Sequence, residues 1–313
     1  VLDIDRLRAL NAISEYGSVS AAADVLGITT SAVSQQIAKL ERETSARLLE
    51  RSGRGVRLTD AAQLLVRHSE RILALIAEAE ADLEAQLGSV AGRLSIAAFA
   101  TAARSVLPPA LRDLAARYPN LKVQMFEADP VASQPLVQRG DYDLAIVQDW
   151  VNSPLPVLDG TERLHLFDDP AEIALPADHP LADRAELAPG ELVDEDWIVA
   201  PQGTICFEWL CDTLRRAGVE PRVAHYATEY PTQIALVAAG LGLAVLPRLG
   251  RGMLPPGVRT VPLRPVLVRS VYALLRREAG RRPAVRAAVA ALRSTVDKLD
   301  DGTRTLDATS APV

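Results

Sequence analysis

The chain has 313 residues, 49% hydrophobic and 24% charged, which is enough for a buried core and, at ordinary domain sizes, for two or three domains. A net charge of −6 excludes a surface coated all over by nucleic acid or anionic lipid, but leaves room for a local basic patch. No apolar run is long enough to cross a bilayer, the opening VLDIDRLRAL lacks the basic and apolar regions of a signal peptide, and two cysteines make no disulfide framework.

A cytoplasmic protein without membrane contact is therefore expected. His68, His165, His179 and His225 stand far apart without metal-ligand spacing, so neither a metal nor a cofactor is expected.

All 21 prolines lie at or after Pro108, so the first 107 residues can run as uninterrupted helices. Leu7, Leu10 and Ile13 fall at helical spacing and predict a helix over 5–16. A second helix is predicted from about Ser20 to Leu26 and a third from about Ser31 to Glu43, separated by a turn at Gly27. On the third helix Val33, Ile37 and Leu40 make the buried stripe.

The opposite stripe is Ser31, Ser34, Gln35 and Lys39, with Gln36 alongside and Thr30 at the start. Between Asp24 and Glu41 there is one charge, Lys39, and no carboxylate. Hydroxyls and amides without carboxylates can approach base edges and phosphates free of repulsion. Helix, glycine turn and helix is the layout whose second helix enters the DNA major groove. From Arg42 to Arg57 five arginines face two glutamates, a local balance of +3. Arg51, Arg54 and Arg57 surround two glycines, as in a small hairpin, or wing, laid beside a phosphate backbone.

A long helix is predicted from Thr59 to about Leu87, with Thr59 as its N-cap. Leu65, Ile72, Ile76, Ala79 and Leu83 form a seam for a partner helix. From Gly92 onward strands and helices alternate: RLSIAAFA, a helix over Thr101–Tyr118, LKVQMFEAD, a helix over Val131–Arg139, and YDLAIV. Then come EIALP, DWIVAP, a helix from about Ile205 to Ala217, RVAHYA, a helix ending at VAAG, GLAVLP, SVYALLRRE and a last helix near Pro283–Leu299. Such alternation implies largely parallel sheets covered by helices, with enough units for two subdomains. The tail DGTRTLDATSAPV is polar and aperiodic and is expected to be disordered.

The run GSVSAAADVLGITTSAVSQQIAKLERETSARLLERSGRGVRLTDAA resembles the winged helix-turn-helix of LysR-type transcriptional regulators. Looser agreements follow in the family's order: LPPALRDLAARYPNLKV, LVQRGDYDLAIV, HPLADRAEL and VAAGLGLAVLP.

The resemblance implies an α/β fold with an N-terminal all-α winged helix-turn-helix over 1–58 and a long linker and dimerisation helix over 59–88. A periplasmic-binding-protein-like effector domain of two α/β subdomains follows over 91–300: subdomain I at about 91–160 and 267–300, subdomain II at about 161–266. The tail is 301–313. It further implies double-stranded DNA, a small-molecule effector and RNA polymerase, if the protein is an activator, as partners. A homodimer through the linker helix, assembling to a homotetramer, is also implied.

Carried over by position, Ser20, Thr30, Ser31, Ser34, Gln35, Gln36, Lys39, Arg51 and Arg54 are the expected DNA-binding residues. Many members have Pro and Arg where this chain has Ser31 and Gln35. Gln pairs with adenine where Arg pairs with guanine, so a shifted base preference is expected.

In open α/β sheets ligands bind beyond the C-terminal strand ends. That rule places Ala100, Thr101, Asp129, Gln148, Asp149, Trp150, Gln202, Gly203, Thr204 and Glu229 at the effector cleft, with Thr228–Tyr230 in the same region. Asp129, Asp149 and Glu229 make that region acidic, with Arg104 as the one nearby base. An amino acid or amine is the expected effector, its carboxylate at the start of the helix after LSIAAF.

Cys206 and Cys211 offer a redox-sensing alternative. A cytoplasmic solute-binding protein or an enzyme is the remaining alternative, but no P-loop, HExxH or GxSxG elbow is present, and GLGLAV enters a strand where a dinucleotide motif should enter a helix. No catalytic residues are expected.

Overall fold

The computed structural model describes residues 2–52, 55–150 and 153–309. The chain divides into two compact units, Val1–Ala81 and Asp82–Val313.

The first unit opens with α1 (Ile4–Tyr16), α2 (Val19–Leu26) and α3 (Thr30–Thr44). Each starts at a short polar side chain that accepts an otherwise orphaned backbone N–H. Asp3 takes those of Asp5 and Arg6, Ser18 that of Ala21, and Thr29 that of Ala32. Helix α2 ends at Gly27 with φ +66°, a left-handed turn that costs glycine little and a β-carbon much. Leu7, Leu10, Ile13, Ala22, Ala23, Val33, Ile37 and Leu40 close the core between them.

Strands β1 (Leu49–Ser52) and β2 (Gly55–Leu58) pair antiparallel as the expected hairpin, with Glu50 opposite Arg57. The Glu41 carboxylate joins hairpin to helix by accepting the Leu48 and Leu49 amides at 2.8 and 3.3 Å.

Helix α4 (Asp60–Leu87) starts where expected: Thr59 accepts the Ala62 amide at 3.2 Å and donates its hydroxyl to the Arg47 carbonyl at 2.7 Å. Its early turns belong to the core of the first unit through buried Ala62, Val66 and Ser69, and Leu65 and Ile72 also pack against that core. Two residues of the expected partner seam are thus used within the chain. Leu75 and Leu83 are exposed at 65% and 62%.

The second unit holds β3 (Gly92–Ala98), α5 (Ala100–Ser105), α6 (Leu107–Arg117), β4 (Leu121–Glu127), α7 (Pro130–Arg139) and β5 (Leu144–Trp150). The helix expected over Thr101–Tyr118 is two helices meeting at Val106. Pro108 and Pro109 have no N–H to bond back to the Arg104 and Ser105 carbonyls, so the first helix must stop.

There follow β6 (Thr161–Pro176), β7 (Asp196–Val199), α8 (Ile205–Arg216), β8 (Arg222–Tyr226), α9 (Tyr230–Ala238), β9 (Ala244–Pro247), α10 (Arg248–Arg251), β10 (Val258–Arg276) and α11 (Pro283–Thr309). Helix α11 carries on over 301–309, where a disordered tail was expected. Extending a formed helix adds one hydrogen bond per residue, without the cost of a new nucleus. Residues 310–313 lie outside the described residues.

One six-stranded sheet runs β4-β3-β5-β10-β6-β9, and β7 pairs with β8 in parallel. The long antiparallel strands β6 and β10 pass from one apolar core to a second. The first core gathers Leu94, Ile96, Val106, Leu107, Ile146, Val271 and Leu292, and the second gathers Trp150, Ile173, Leu175, Trp197, Trp209 and Leu243. The early part of β6 lies with the first core, through Leu164, Leu166 and Phe167, so the expected change of subdomain at 160/161 falls before the strand that makes the crossing. No helix among the described residues is long and apolar enough to cross a membrane.

Glu41→Ala leaves two backbone N–H groups without their acceptor, which should cost about 1–3 kcal/mol at a part-buried site. Hydrogen exchange of the full chain should show the Leu48 and Leu49 amides losing protection while those of α1 keep theirs.

Candidate functional site

Two sites emerge, one in each unit, and they handle charge in opposite ways. In the first unit, Thr30, Ser31, Ser34, Gln35 and Lys39 are exposed along one side of α3, and Ser20 is exposed on α2. The Ser34 hydroxyl donates to the Thr30 carbonyl at 2.9 Å, which turns it back along its own helix. Gln36 departs from the expected face: it is half-buried, with Oε1 enclosed and without a hydrogen-bond partner. Position 36 follows Val33 by three and precedes Leu40 by four, and so shares their inward turn.

In the hairpin the Arg57 guanidinium meets Glu50 at 3.0 Å. Arg51 occupies a strand position opposite Val56. Arg54 lies outside the described residues.

The second site is a cleft of about 240 Å³ between the two cores of the second unit. Of the ten expected residues, Ala100, Thr101, Asp129, Gln148, Trp150, Thr204 and Glu229 line it. Asp149 does not. Strand alternation turns it to the other face of β5 from Gln148 and Trp150, where its carboxylate accepts from Arg163 at 2.7 Å and from the Leu155 amide at 3.3 Å. Gln202 and Gly203 are also outside the lining: Gln202 is turned toward the Tyr226 hydroxyl at 3.5 Å, and the Gly203 amide donates to Glu208 at 3.2 Å.

Arg269 on β10, 1% exposed, is the cation of the cleft that the sequence reading missed when it named Arg104 as the nearby base. Its Nε and Nη2 donate to Asp169 Oδ2 at 2.9 and 2.7 Å, Nη2 also donates to Thr101 Oγ1 at 3.0 Å, and Nη1 donates to Gln148 Oε1. Asp169 is its cross-strand partner in the β6–β10 register and is itself 3% exposed. Burial works against the guanidinium's charge, but the facing carboxylate outweighs it and holds the pKa above its usual value.

A signal for this pair was present in the sequence. Asp169 shares the inward row of β6 with Ala171, Ile173 and Leu175, and Arg269 that of β10 with Leu267, Val271 and Ala273. A charge on an apolar row needs a partner.

Gln148 also donates to Cys206 Sγ at 3.3 Å, and Tyr230 completes the network by hydrogen bonding to the same sulfur. Gly250 makes room for the Tyr230 ring: a β-carbon there would lie 2.7 Å from Cδ2. Burial raises the pKa of both thiols, away from the reactive thiolate. Cys206 lines the cleft; Cys211 is buried and does not. Trp150 stacks on Trp209 with ring centroids 3.5 Å apart, and Phe99 lies under the Arg269 guanidinium. At the mouth Arg104 reaches Glu229 at 3.6 Å.

The helix that was to hold an effector carboxylate, α5, has six residues, begins at Ala100, and carries no side-chain cap. Among the described residues no group of three metal-ligating side chains is found.

A model of the LysR substrate binding domain matches residues 87–297, and one of the bacterial regulatory helix-turn-helix protein of the lysR family matches residues 4–63. The chain belongs to the LysR family of transcriptional regulators. It is 31% identical to a probable HTH-type transcriptional regulator, LrrA of Synechococcus elongatus, over 95% of this chain and 99% of that protein. With MetR of Salmonella typhimurium it shares 29% identity over 79% of this chain and 75% of that one.

Among solved structures, a peroxide-bound OxyR mutant of Corynebacterium glutamicum has 24% identity and a TM-score of 0.61, covering 99% of this chain and 97% of that one. CbnR complexed with its target DNA has 21% identity and a TM-score of 0.54, covering 94% and 100%. These two likenesses show the fold. As a LysR-family protein the chain is a transcriptional regulator with an effector-binding domain, and it is not an enzyme.

Asp129 lines the cleft with its pKa raised, chiefly by burial and against the pull of the Val131 amide on its carboxylate. A carboxyl with a raised folded-state pKa favours the fold below its unfolded pKa, and that advantage is lost as pH rises through the folded value. Asp129→Asn, which mimics the protonated form and can still cap α7, should raise the melting temperature of the ligand-free protein at neutral pH. The gain should fade in acid, below the ordinary Asp range; an equal gain at both ends of a pH series of thermal melts would contradict this.

Proposed function

We propose that this regulator reads double-stranded DNA with the exposed side of α3, and that a small molecule in the cleft of the second unit alters how it does so. The observation that carries the first part is the neutral row Thr30, Ser31, Ser34 and Gln35, exposed and free of carboxylates from Thr30 to Leu40 on the helix that follows the Gly27 turn. A row of that kind, ending in Lys39, can make base-edge bonds along one stretch and phosphate contact at its end. Ser20 on α2 and the arginines at 51 and 54 supply further backbone contacts, and Gln36 supports the helix from its half-buried side.

The second part rests on the cleft, a concave, largely apolar space with a few convergent polar groups. An amino acid or an amine fits its carboxylates at positions 127, 129 and 229. Self-association through α4 supports the placement of two reading heads on one site: Leu75 and Leu83 are exposed apolar side chains on that helix. A homodimer is proposed on that ground, with assembly to a homotetramer and, if the protein is an activator, contact with RNA polymerase as family expectations.

Binding titrations on operator variants test the reading. Gln35→Ala should cost about 1–3 kcal/mol on sites with the preferred base at one position of each half-site and little on sites without it. Lys39→Ala should weaken all sequences alike and lower the log–log salt slope by about one. Equal losses on every variant for Gln35→Ala would remove Gln35 from the base-reading set.

A further inference from the structure

The charges around the cleft do not balance, and the imbalance bears on what the cleft accepts. Every nitrogen of Arg269 is engaged by protein, and its fork faces Asp169, whose second oxygen is fixed by the Leu249 amide at 3.0 Å. A ligand carboxylate would seek that same fork, because a guanidinium binds a carboxylate best through paired N–H donors. Arg104, the other cation of the lining, is drawn to Glu229. Glu127 and Asp129 remain, with no ion pair among the described residues. Facing them are apolar and aromatic walls that include Phe99, Trp150 and Val245.

We propose that the cleft selects effectors carrying an amine and an apolar body but no carboxylate, and that Asp169 sets this choice by occupying Arg269 where an effector's carboxylate would sit. The inference rests on the effector reading above and narrows it from amino acid or amine to amine. The ammonium lies toward Glu127 and Asp129, and the body lies against the aromatic wall. Asp129 gains most from such an occupant, since it is a carboxylate short of both water and a counter-charge. An incoming carboxylate meets Glu127 and Asp129 as like charges and finds its natural cation already paired.

Phenylethylamine and benzoate share a ring and differ in the sign of their charge, so calorimetry and thermal shift on the full chain separate the cases. The wild-type protein should bind the amine and not the carboxylate. Asp169→Asn keeps the shape and the acceptor for Leu249 but leaves Arg269 without a counter-charge, so benzoate affinity should rise at least about tenfold.

The double variant Glu127→Gln, Asp129→Asn lies away from the buried pair and keeps the test open should Asp169→Asn fail to fold. It should lose about tenfold or more in amine affinity. Benzoate binding to the wild type, binding of neither probe, a folded Asp169→Asn that gains nothing, or unchanged amine affinity in the double variant each overturns the proposal. Amine binding that leaves DNA affinity unaltered would instead overturn the effector reading and leave the charge selection standing.

Discussion

A guanidinium and a carboxylate, both almost wholly removed from water, meet where two strands pass from one apolar core to another. Arg269 and Asp169 are register partners on β10 and β6, two long strands that contribute to both cores. Taking two charges out of water costs several kcal/mol each, which only close geometry and further hydrogen bonds can offset. Here both are present. The arginine also holds Thr101 from α5 and Gln148 from β5, and the aspartate holds the Leu249 amide at the start of α10. One ion pair thus ties together elements from both sides of the cleft, and its geometry fixes where the cleft walls stand.

The same pair explains why the floor of the cleft is polar yet neutral. A hydrophobic replacement of similar volume could stabilise the fold as well or better. What it could not do is present Thr101, Gln148 and Cys206 in a connected polar wall. The DNA-reading unit follows the opposite course. Its core is largely apolar, the Glu41 carboxylate is spent on backbone amides, and Thr30, Ser31, Gln35 and Lys39 of α3 are left exposed. Polarity that must wait for DNA stays outside. Polarity that must hold a shape goes inside and is saturated.

The first unit was the more legible in the sequence because its signals are local. Ser18, Thr29 and Thr59 mark helix starts within four residues of the bond they make, and Gly27 marks a turn by its backbone alone. In the second unit the strands that cross between cores read as separate short pieces. Asp168–Asp169–Pro170 in β6 and Pro262–Leu263–Arg264–Pro265 in β10 look like turn chemistry, yet both lie inside continuous strands of 16 and 19 residues. The reason is that a strand between two cores is not covered evenly, so its middle has no need of an apolar alternation.

Seven of the ten residues that the strand-end rule named line the pocket between the two cores. Asp149 failed because period-two alternation was not applied to it. The apolar rows of β6 and β10 mark Asp169 and Arg269 each as a charge in need of a partner, but the two are one hundred residues apart and no local pattern says that they meet.

For a molecule in the cleft to alter DNA binding, it must bind two states of the protein unequally, and the coupling cannot exceed that difference in affinity. The residues that line the cleft come from α5, β4, β5, β7, α8, α9, β9 and β10 and the loops beside them, so a molecule seated there touches both cores at once. Arg104 and Glu229, from opposite sides, already meet at 3.6 Å, and with nearly half of each side chain exposed their bond is a weak one. The buried pair at the crossing strands is strong and the pair at the mouth is weak. Of the two contacts, the one at the mouth is therefore the cheaper to break.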